Sequence, residues 1–372
     1  MARQHLSDLV GKLFPCSFVG SYPRPTWFEY NLGGRDILQA FRDEDFAQAY
    51  RDGVRAMVGD QEEAGLDVLT DGHLWYDKHQ GFIASFVLYN MERIEGIEIS
   101  PTVELQNPLT EFVDTPGMEA LAEIMEAIFA ADFTVTGRLR RGPMRHAFNW
   151  SLAQRCTARP VKAFFATGPV ELSTFLTDRH YHDRKALLRD LAEIYHAEML
   201  DAVEAGARIV ELDDLIYVAP RDEWAFDVEI LNRVFEGVNA YRIWHCCHGG
   251  TPGPIGLAPY RELFPYVKDL EVDSFDWSFA QTGFPDDQLA LFAQPGFDKD
   301  LGLGAISNKN YVIETPREVA DGIEKAARYV DPKRIHVTSD CGLFAYSRVA
   351  ARAKLKAMVR GAALARDELA AV

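Results

Sequence analysis

Short apolar or β-branched runs alternate with longer helical stretches along the 372 residues, and this alternation favours parallel strands joined by crossover helices. The strand candidates are residues 16–22, 66–70, 133–137, 162–167, 208–213, 241–247, 272–279, 301–307 and 334–339. That is one more than the eight staves of an α/β barrel hold, so one is expected to be accessory. Residues 183–206 read as one helix, with Asp183 as N-cap, Gly206 at the C-terminal end and Leu187, Leu191, Ile194 and Leu200 as its apolar stripe. Thr315-Pro316-Arg317-Glu318 is a capping box with Pro at the first helical position, and 347–369 is a final Ala/Arg/Lys-rich helix.

Six strand ends carry turn-forming or reactive residues: Gly20-Ser21-Tyr22-Pro23-Arg24, Asp71-Gly72-His73, Thr167-Gly168-Pro169, Asp213-Asp214, His245-Cys246-Cys247-His248 and Asp340-Cys341-Gly342. Singly, each is an ordinary turn. In series they predict a TIM (βα)8 barrel, whose site is built from the loops that follow its strands. The length then fits one elaborated barrel over 1–372, with an insertion over the barrel mouth at about 74–131.

Composition narrows the partners. Apolar residues make up 48% of the chain, enough for a large core. A net charge of −17 argues against a nucleic acid, which is bound through Lys/Arg excess, and against an anionic membrane surface. No apolar run reaches the ~20 residues of a membrane span, and no signal-peptide core opens the chain, so a cytoplasmic protein is expected. A homo-oligomer is compatible with all of this. Five cysteines do not make a disulfide framework; they are read as thiols.

Those thiols have an order. Side chains two apart on a strand share a face, so in Trp244-His245-Cys246-Cys247 the imidazole of His245 and the thiol of Cys247 point one way and Cys246 the other. His-x-Cys at a strand end is half of a zinc site, and Cys341 ends another strand. Asp276, on the strand between them, is the candidate carboxylate ligand; a cap with no metal is the alternative. Cys16 and Cys156 read as small buried hydrophobes. A thiol is mostly protonated at neutral pH, and coordination to zinc removes that proton and yields the nucleophile of alkyl transfer. Thiolate ligands keep the charge at the metal low, unlike the His-rich sites of water-activating hydrolases.

The set Gly20-Ser21-Tyr22-Pro23-Arg24, Asp71-Gly72, Thr167-Gly168-Pro169-Val170, Glu211-Leu212-Asp213-Asp214, His245-Cys246-Cys247 and Asp340-Cys341-Gly342-Leu343 resembles, in order and spacing, the catalytic barrel of the cobalamin-independent methionine synthases. The resemblance runs from Gly20 to about Arg366 and implies a core-only member, without the N-terminal domain of the full-length enzymes. It implies a zinc-dependent transferase that activates a small thiol as a thiolate for alkyl transfer, as homocysteine is activated to take a methyl group from methyltetrahydrofolate. By resemblance His245, Cys247 and Cys341 are zinc ligands, and Asp213 holds the substrate's amino group. Ser21 and Arg24 lie in the first substrate-binding motif.

Departures from the family pattern fall on substrate recognition. Where the family has a Glu after Asp-Gly, helping to bind the homocysteine ammonium, this chain has His73, a poor ammonium partner. The family's carboxylate ligand aligns with Ser278, two residues beyond Asp276, so either Asp276 substitutes or the metal has three protein ligands. The pterin-stacking Trp corresponds to Phe175. Such losses suggest a different thiol or alkyl donor, as in the related epoxyalkane:coenzyme M transferases, whose thiol carries a sulfonate. Arg24 and the Arg138-Leu139-Arg140-Arg141 run are the candidate anion contacts, with a solvated face the alternative for Arg140 and Arg141. The leaving group needs a proton, and His73, Tyr76 and His79 are the candidate acids at the rim. A metal-free decarboxylase on the related uroporphyrinogen decarboxylase barrel, or a non-catalytic metal or thiol binder, are the readings of another class.

Overall fold

The computed structural model describes residues 4–76, 84–101, 131–246 and 260–370. Nine strands follow in chain order among the described residues: β1 (Ile94–Pro101), β2 (Ala131–Arg141), β3 (Ala163–Phe165), β4 (Leu176–Asp178), β5 (Ile209–Asp213), β6 (Tyr241–Cys246), β7 (Ser274–Ser278), β8 (Asp300–Ile306) and β9 (Ile335–Ser339). Six of them form a parallel sheet in the order β3-β5-β6-β7-β8-β9. The remaining staves are the segments around 16–21 and 69–72. They join the sheet through isolated parallel bridges, Cys16 to Val337 of β9, Ser21 to Gly72, and Leu69 to Val161 just before β3. The order is that of an eight-stave TIM barrel, with single bridges rather than long ladders where the chain begins.

The expected strand at 133–137 exists as part of β2 but is not a stave. It pairs antiparallel with β1 and parallel with β4 in a separate three-stranded sheet. Burial explains the difference. Phe133, Val135 and Leu139 are buried while Thr136, Arg138 and Arg140 face solvent, the alternation of a strand covered on one side. Barrel staves are covered on both sides, and every residue of β8 is buried.

Helix expectations hold at their caps. Asp183 accepts from Lys185 N at 3.0 Å and opens Arg184–Glu204. Thr315 and Glu318 form the reciprocal box that opens Pro316–Ala326. Leu187, Leu191 and Ile194 are buried, but Leu200 is 39% exposed. At ~100° per residue Leu200 lies on the opposite side from Leu191, so it never belonged to the stripe. The last helix spans Arg348–Ala370.

A short helix, Leu6–Val10, plugs the N-terminal end of the barrel. Leu6 packs with Val68, Ile209, Tyr241 and Ile243. His5 Nδ1 lies 2.7 Å from Asp300 Oδ1, and Tyr241 Oη donates to Asp300 Oδ2 at 2.6 Å. The opposite end, where β5 to β9 finish, is left for the site.

Part of the expected insertion, 77–83 and 102–130, lies outside the described residues. The described part holds the helix Ala84–Met91 and β1. Asn90 donates to the carbonyl of Ala166, just past β3, at 2.9 Å, so this segment adjoins the rim. No described helix is long and apolar enough to cross a membrane.

Candidate active site

Period-two alternation on β6 sorts its side chains. Trp244 and Cys246 lie in the apolar cluster between sheet and helices, while Tyr241 and Ile243 belong to the barrel interior with the N-terminal plug. His245 therefore points inward, and it is wholly buried. The ladder puts it in register with Asp213 of β5 on one side and Asp276 of β7 on the other. The same row continues through Gly302 to His336.

Asp276 is buried and held on one oxygen. Its Oδ1 accepts from Ser274 Oγ at 3.0 Å and lies 3.1 Å from His336 Nε2. Burial is the largest single influence and pushes this carboxyl up, but His336, Lys162 and His245 together outweigh it and the net shift is downward. A Cβ at Gly302 would collide with the Asp276 carboxylate, so the glycine gives it room. Ser278 instead donates to the carbonyl of Asp340 at 2.8 Å.

Cys341 is buried at the end of β9, and the residue before it braces the rim. The Asp340 carboxylate accepts from the backbone N–H groups of Phe279, Ala280 and Gln281 at 2.8, 3.1 and 2.8 Å. Burial raises its pKa to about 7 despite those bonds. Asp214 does the same for the loop after β3. It accepts from Val170 N and Glu171 N, both at 2.9 Å, and burial lifts it to about 7.

Ser21 sits beside Cys341. Leu343 N donates to Ser21 O at 2.8 Å, and a Cβ at Gly342 would collide with Ser21 Oγ. His73 is reached from the other flank of that stave, where a Cβ at Gly20 would meet its ring and that of Phe164. His73 is buried with a left-handed φ of 56°, its ring centroid 4.9 Å from Trp75, 4.8 Å from Tyr76 and 4.9 Å from Phe164. Burial lowers its pKa to about 4, so the ring is neutral at pH 7. A neutral ring suits packing and hydrogen bonding better than proton donation as an imidazolium. Tyr76 packs against the same interior cluster, and burial with the nearby Asp71 and Asp213 carboxylates raises its phenol well above the ordinary value.

The other expected contacts are placed as follows. Phe175 is buried in the main apolar cluster just after the helix Pro169–Ser173. Arg24 donates to the carbonyls of Tyr30 and Leu74 at 3.1 and 2.9 Å and covers the ring of Phe28, so its guanidinium ties loops together. Arg138 pairs with Asp190, and Arg141 with Glu198 and Asp201. Cys247, His248 and His79 lie outside the described residues.

Reading the sequence missed an interior layer beneath the rim. Lys162 and Glu211, both fully buried, form an ion pair, and His336 completes the row with Asp276. The available signal was a Lys or His at an inward position of an otherwise apolar stave, since such residues are almost never fully buried unless paired.

The donors fit zinc. His245 and Cys341 supply imidazole nitrogen and thiol sulfur from buried strand ends, the donor types of zinc sites. Among the described residues no group of three His, Cys, Asp or Glu side chains is arranged to hold a metal ion; Cys247, the expected third donor, follows the last described residue of β6.

Residues 115–364 match the family described as the cobalamin-independent synthase, catalytic domain. The chain belongs to the cobalamin-independent synthase family. A methionine synthase of Saccharolobus islandicus is 30% identical over 357 residues, covering 96% of each chain. One from Sulfurisphaera tokodaii is 28% identical, covering 96% of this chain and 94% of its own. Among solved structures, a B12-independent methionine synthase from Shewanella sp. W3-18-1, in complex with selenomethionine, superposes with a TM-score of 0.77 at 25% identity, covering 97% of this chain and all of the other. In this family member the recognisable motifs therefore sit at the C-terminal ends of the staves, as in other barrels.

Proposed function

We propose that this protein is a methyltransferase that moves a methyl group from a carrier to the sulfur of a small thiol. The observation that carries this reading is the inward His245 at the end of β6, in a chain of the cobalamin-independent synthase family whose next reactive strand end, on β9, presents Cys341. His245, Cys247 and Cys341 are the residues that would hold zinc. Zinc bound there supplies thiol activation, lowering the pKa of the incoming sulfhydryl so that its sulfur is a competent nucleophile at neutral pH.

The chain's own residues define the rest. Asp213, in register beside His245, is the carboxylate suited to a substrate ammonium. His73 is neutral and adds no second negative charge, so the ammonium contact rests on Asp213. The aromatic rings of Phe164, Trp75 and Tyr76 pack at a tilt around the buried His73 and give this part of the interior an apolar lining, with methyltetrahydrofolate the candidate donor. Tyr76, whose raised pKa keeps its proton at neutral pH, is the better placed hydroxyl donor for the leaving nitrogen.

A coenzyme M acceptor loses support because Arg24, Arg138 and Arg141 are engaged by the chain's own carbonyls and carboxylates. We accordingly favour an amino-acid thiol such as homocysteine, against the expectation from His73 alone. Two measurements test the proposal. Zinc content of the purified protein should be near stoichiometric and fall on Cys247→Ala; equal zinc in both would overturn it. Calorimetric titration of the zinc-loaded protein should show homocysteine binding more tightly than coenzyme M, and the reverse order would return the assignment to a sulfonated thiol.

A further inference from the structure

Three consecutive large apolar side chains stand in water on the loop after β8. Tyr311 is 66% exposed, Val312 68% and Ile313 38%. Among the described residues no other run of three does this; Leu38, Ile99 and Leu200 are exposed singly, as surface apolar residues ordinarily are. The first turn of the last helix adds Val349, 71% exposed. Tyr346 connects the two segments. Its Oη donates to the carbonyl of Asn310 at 2.7 Å, and its ring lies 5.2 Å from that of Tyr311.

The loop is held from within. Ser307 N donates to Glu314 Oε1 at 2.9 Å and closes its base, while Lys309 N donates to Ser307 Oγ at 3.0 Å and Val312 N to Asn310 Oδ1 at 2.9 Å. Glu314 is in turn paired with the buried Lys354 at 2.9 Å. A loop fixed in this way presents its apolar side chains in one arrangement, so docking on it costs little ordering entropy. The surface is also poor in charge. Residues 310–313 and 342–347 hold no charged side chain, in a chain of net charge −17. At its margin Glu314 is taken up by Lys354 and Arg348 by Asp60. Exposed Tyr and aliphatic side chains without charges among them are the composition of an interface core.

Charge and area indicate what covers it. Two copies of a chain with net charge −17 repel each other over most of their surface and approach most easily where neither carries charge. A second copy also brings the same patch, as a two-fold interface requires. Tyr311, Val312, Ile313 and Val349 together expose roughly 500 Å². A stable homodimer takes ~800 Å² from each partner, about 65% of it apolar, which is again roughly 500 Å². A nucleic acid or an anionic membrane is disfavoured by the same negative charge.

We propose that the 310–313 loop and the start of the last helix form a two-fold interface between two copies of this chain, with Tyr311, Val312, Ile313 and Val349 packed against their symmetry mates. The interface is independent of the reaction proposed above.

The test is analytical ultracentrifugation of the full-length wild type, the double variant Val312→Glu with Val349→Glu, and Leu200→Glu. The wild type should sediment as a dimer of the 41.9 kDa chain at micromolar concentration. Both substituted positions are exposed, and a Glu at 349 falls in a first helical turn, where negative charge is favourable, so the double variant should keep the wild-type thermal midpoint. Each change occurs twice in a two-fold interface and sets like charges against each other, so the Kd of the dimer should rise at least ~30-fold. Leu200→Glu, elsewhere on the surface, should stay dimeric, and added salt should tighten the wild-type dimer by screening its self-repulsion. A monomeric wild type overturns the proposal, and if that monomer floats with phosphatidylcholine vesicles the patch belongs to a lipid surface instead. A double variant as dimeric as wild type overturns it too, as does dissociation of Leu200→Glu or a dimer that weakens as salt rises. If the double variant unfolds, Tyr311→Ser, which removes a largely exposed ring, carries the same comparison.

Discussion

Ser21 Oγ occupies the space that a Cβ at Gly342 would need, and Leu343 N donates to Ser21 O at 2.8 Å. The first stave of the barrel is thereby held against the turn that carries Cys341. Gly342→Ala should push these two segments apart, costing about 1–3 kcal/mol as overpacking. The expected outcome is a lower thermal midpoint together with reduced zinc retention after dialysis. An unchanged midpoint would mean that the contact relaxes freely.

Cys246 separates the two faces of β6. It lies fully buried among apolar side chains, and its carbonyl accepts from Tyr260 Oη at 2.6 Å. Cys246→Ala should lose about 1 kcal/mol of stability and keep the wild-type zinc content. Zinc loss on this substitution, as on Cys247→Ala, would show that the inward and outward faces have been assigned the wrong way round.

Lys162 and Glu211 pair inside the barrel with neither side chain exposed. Lys162→Met would leave Glu211 as an unpaired buried carboxyl, a change that costs about 3–5 kcal/mol. Adding Glu211→Gln should recover more than half of that loss in denaturant midpoints. Simple additivity of the two single changes would show that the pair is not coupled.

Glu198 joins the accessory sheet to the barrel. Its carboxylate meets His146 Nδ1 at 3.0 Å, His146 N at 3.1 Å and the Arg141 guanidinium. Burial would raise its pKa, but His146 and Arg141 outweigh burial and hold it at about 2. The folded pKa is below the unfolded one, so its contribution is full above pH ~4.3 and is lost as pH falls toward the folded value. Glu198→Gln should therefore cost about 3 kcal/mol at pH 7, with the gap to wild type closing between pH ~4.3 and 2. A gap that persists undiminished at pH 3 would remove the ion pair as its cause.

Legibility in the sequence varied from residue to residue. Asp183 and Thr315 were readable as caps because a cap bonds to residues two or three positions away. His245 was readable as inward because strand alternation needs only its neighbours. The accessory character of 133–137 was not readable. A short β-rich run looks alike in either sheet, and the choice is made by pairing with β1 and by the solvent left on one face. Arg24 looked free for a substrate anion; only the fold shows the carbonyls of Tyr30 and Leu74 around it.

From the sequence alone came the alternating fold class, the rim motifs, the choice of His245 and Cys341 as reactive strand ends, and the family, since each depends on spacing along the chain. The tertiary structure decided what lies opposite each of them. Asp276 meets His336 across Gly302, Ser21 meets Gly342, and burial turns His73 into a neutral ring with a pKa of about 4. Those outcomes depend on register and desolvation between segments up to hundreds of residues apart, and local spacing carries no information about either.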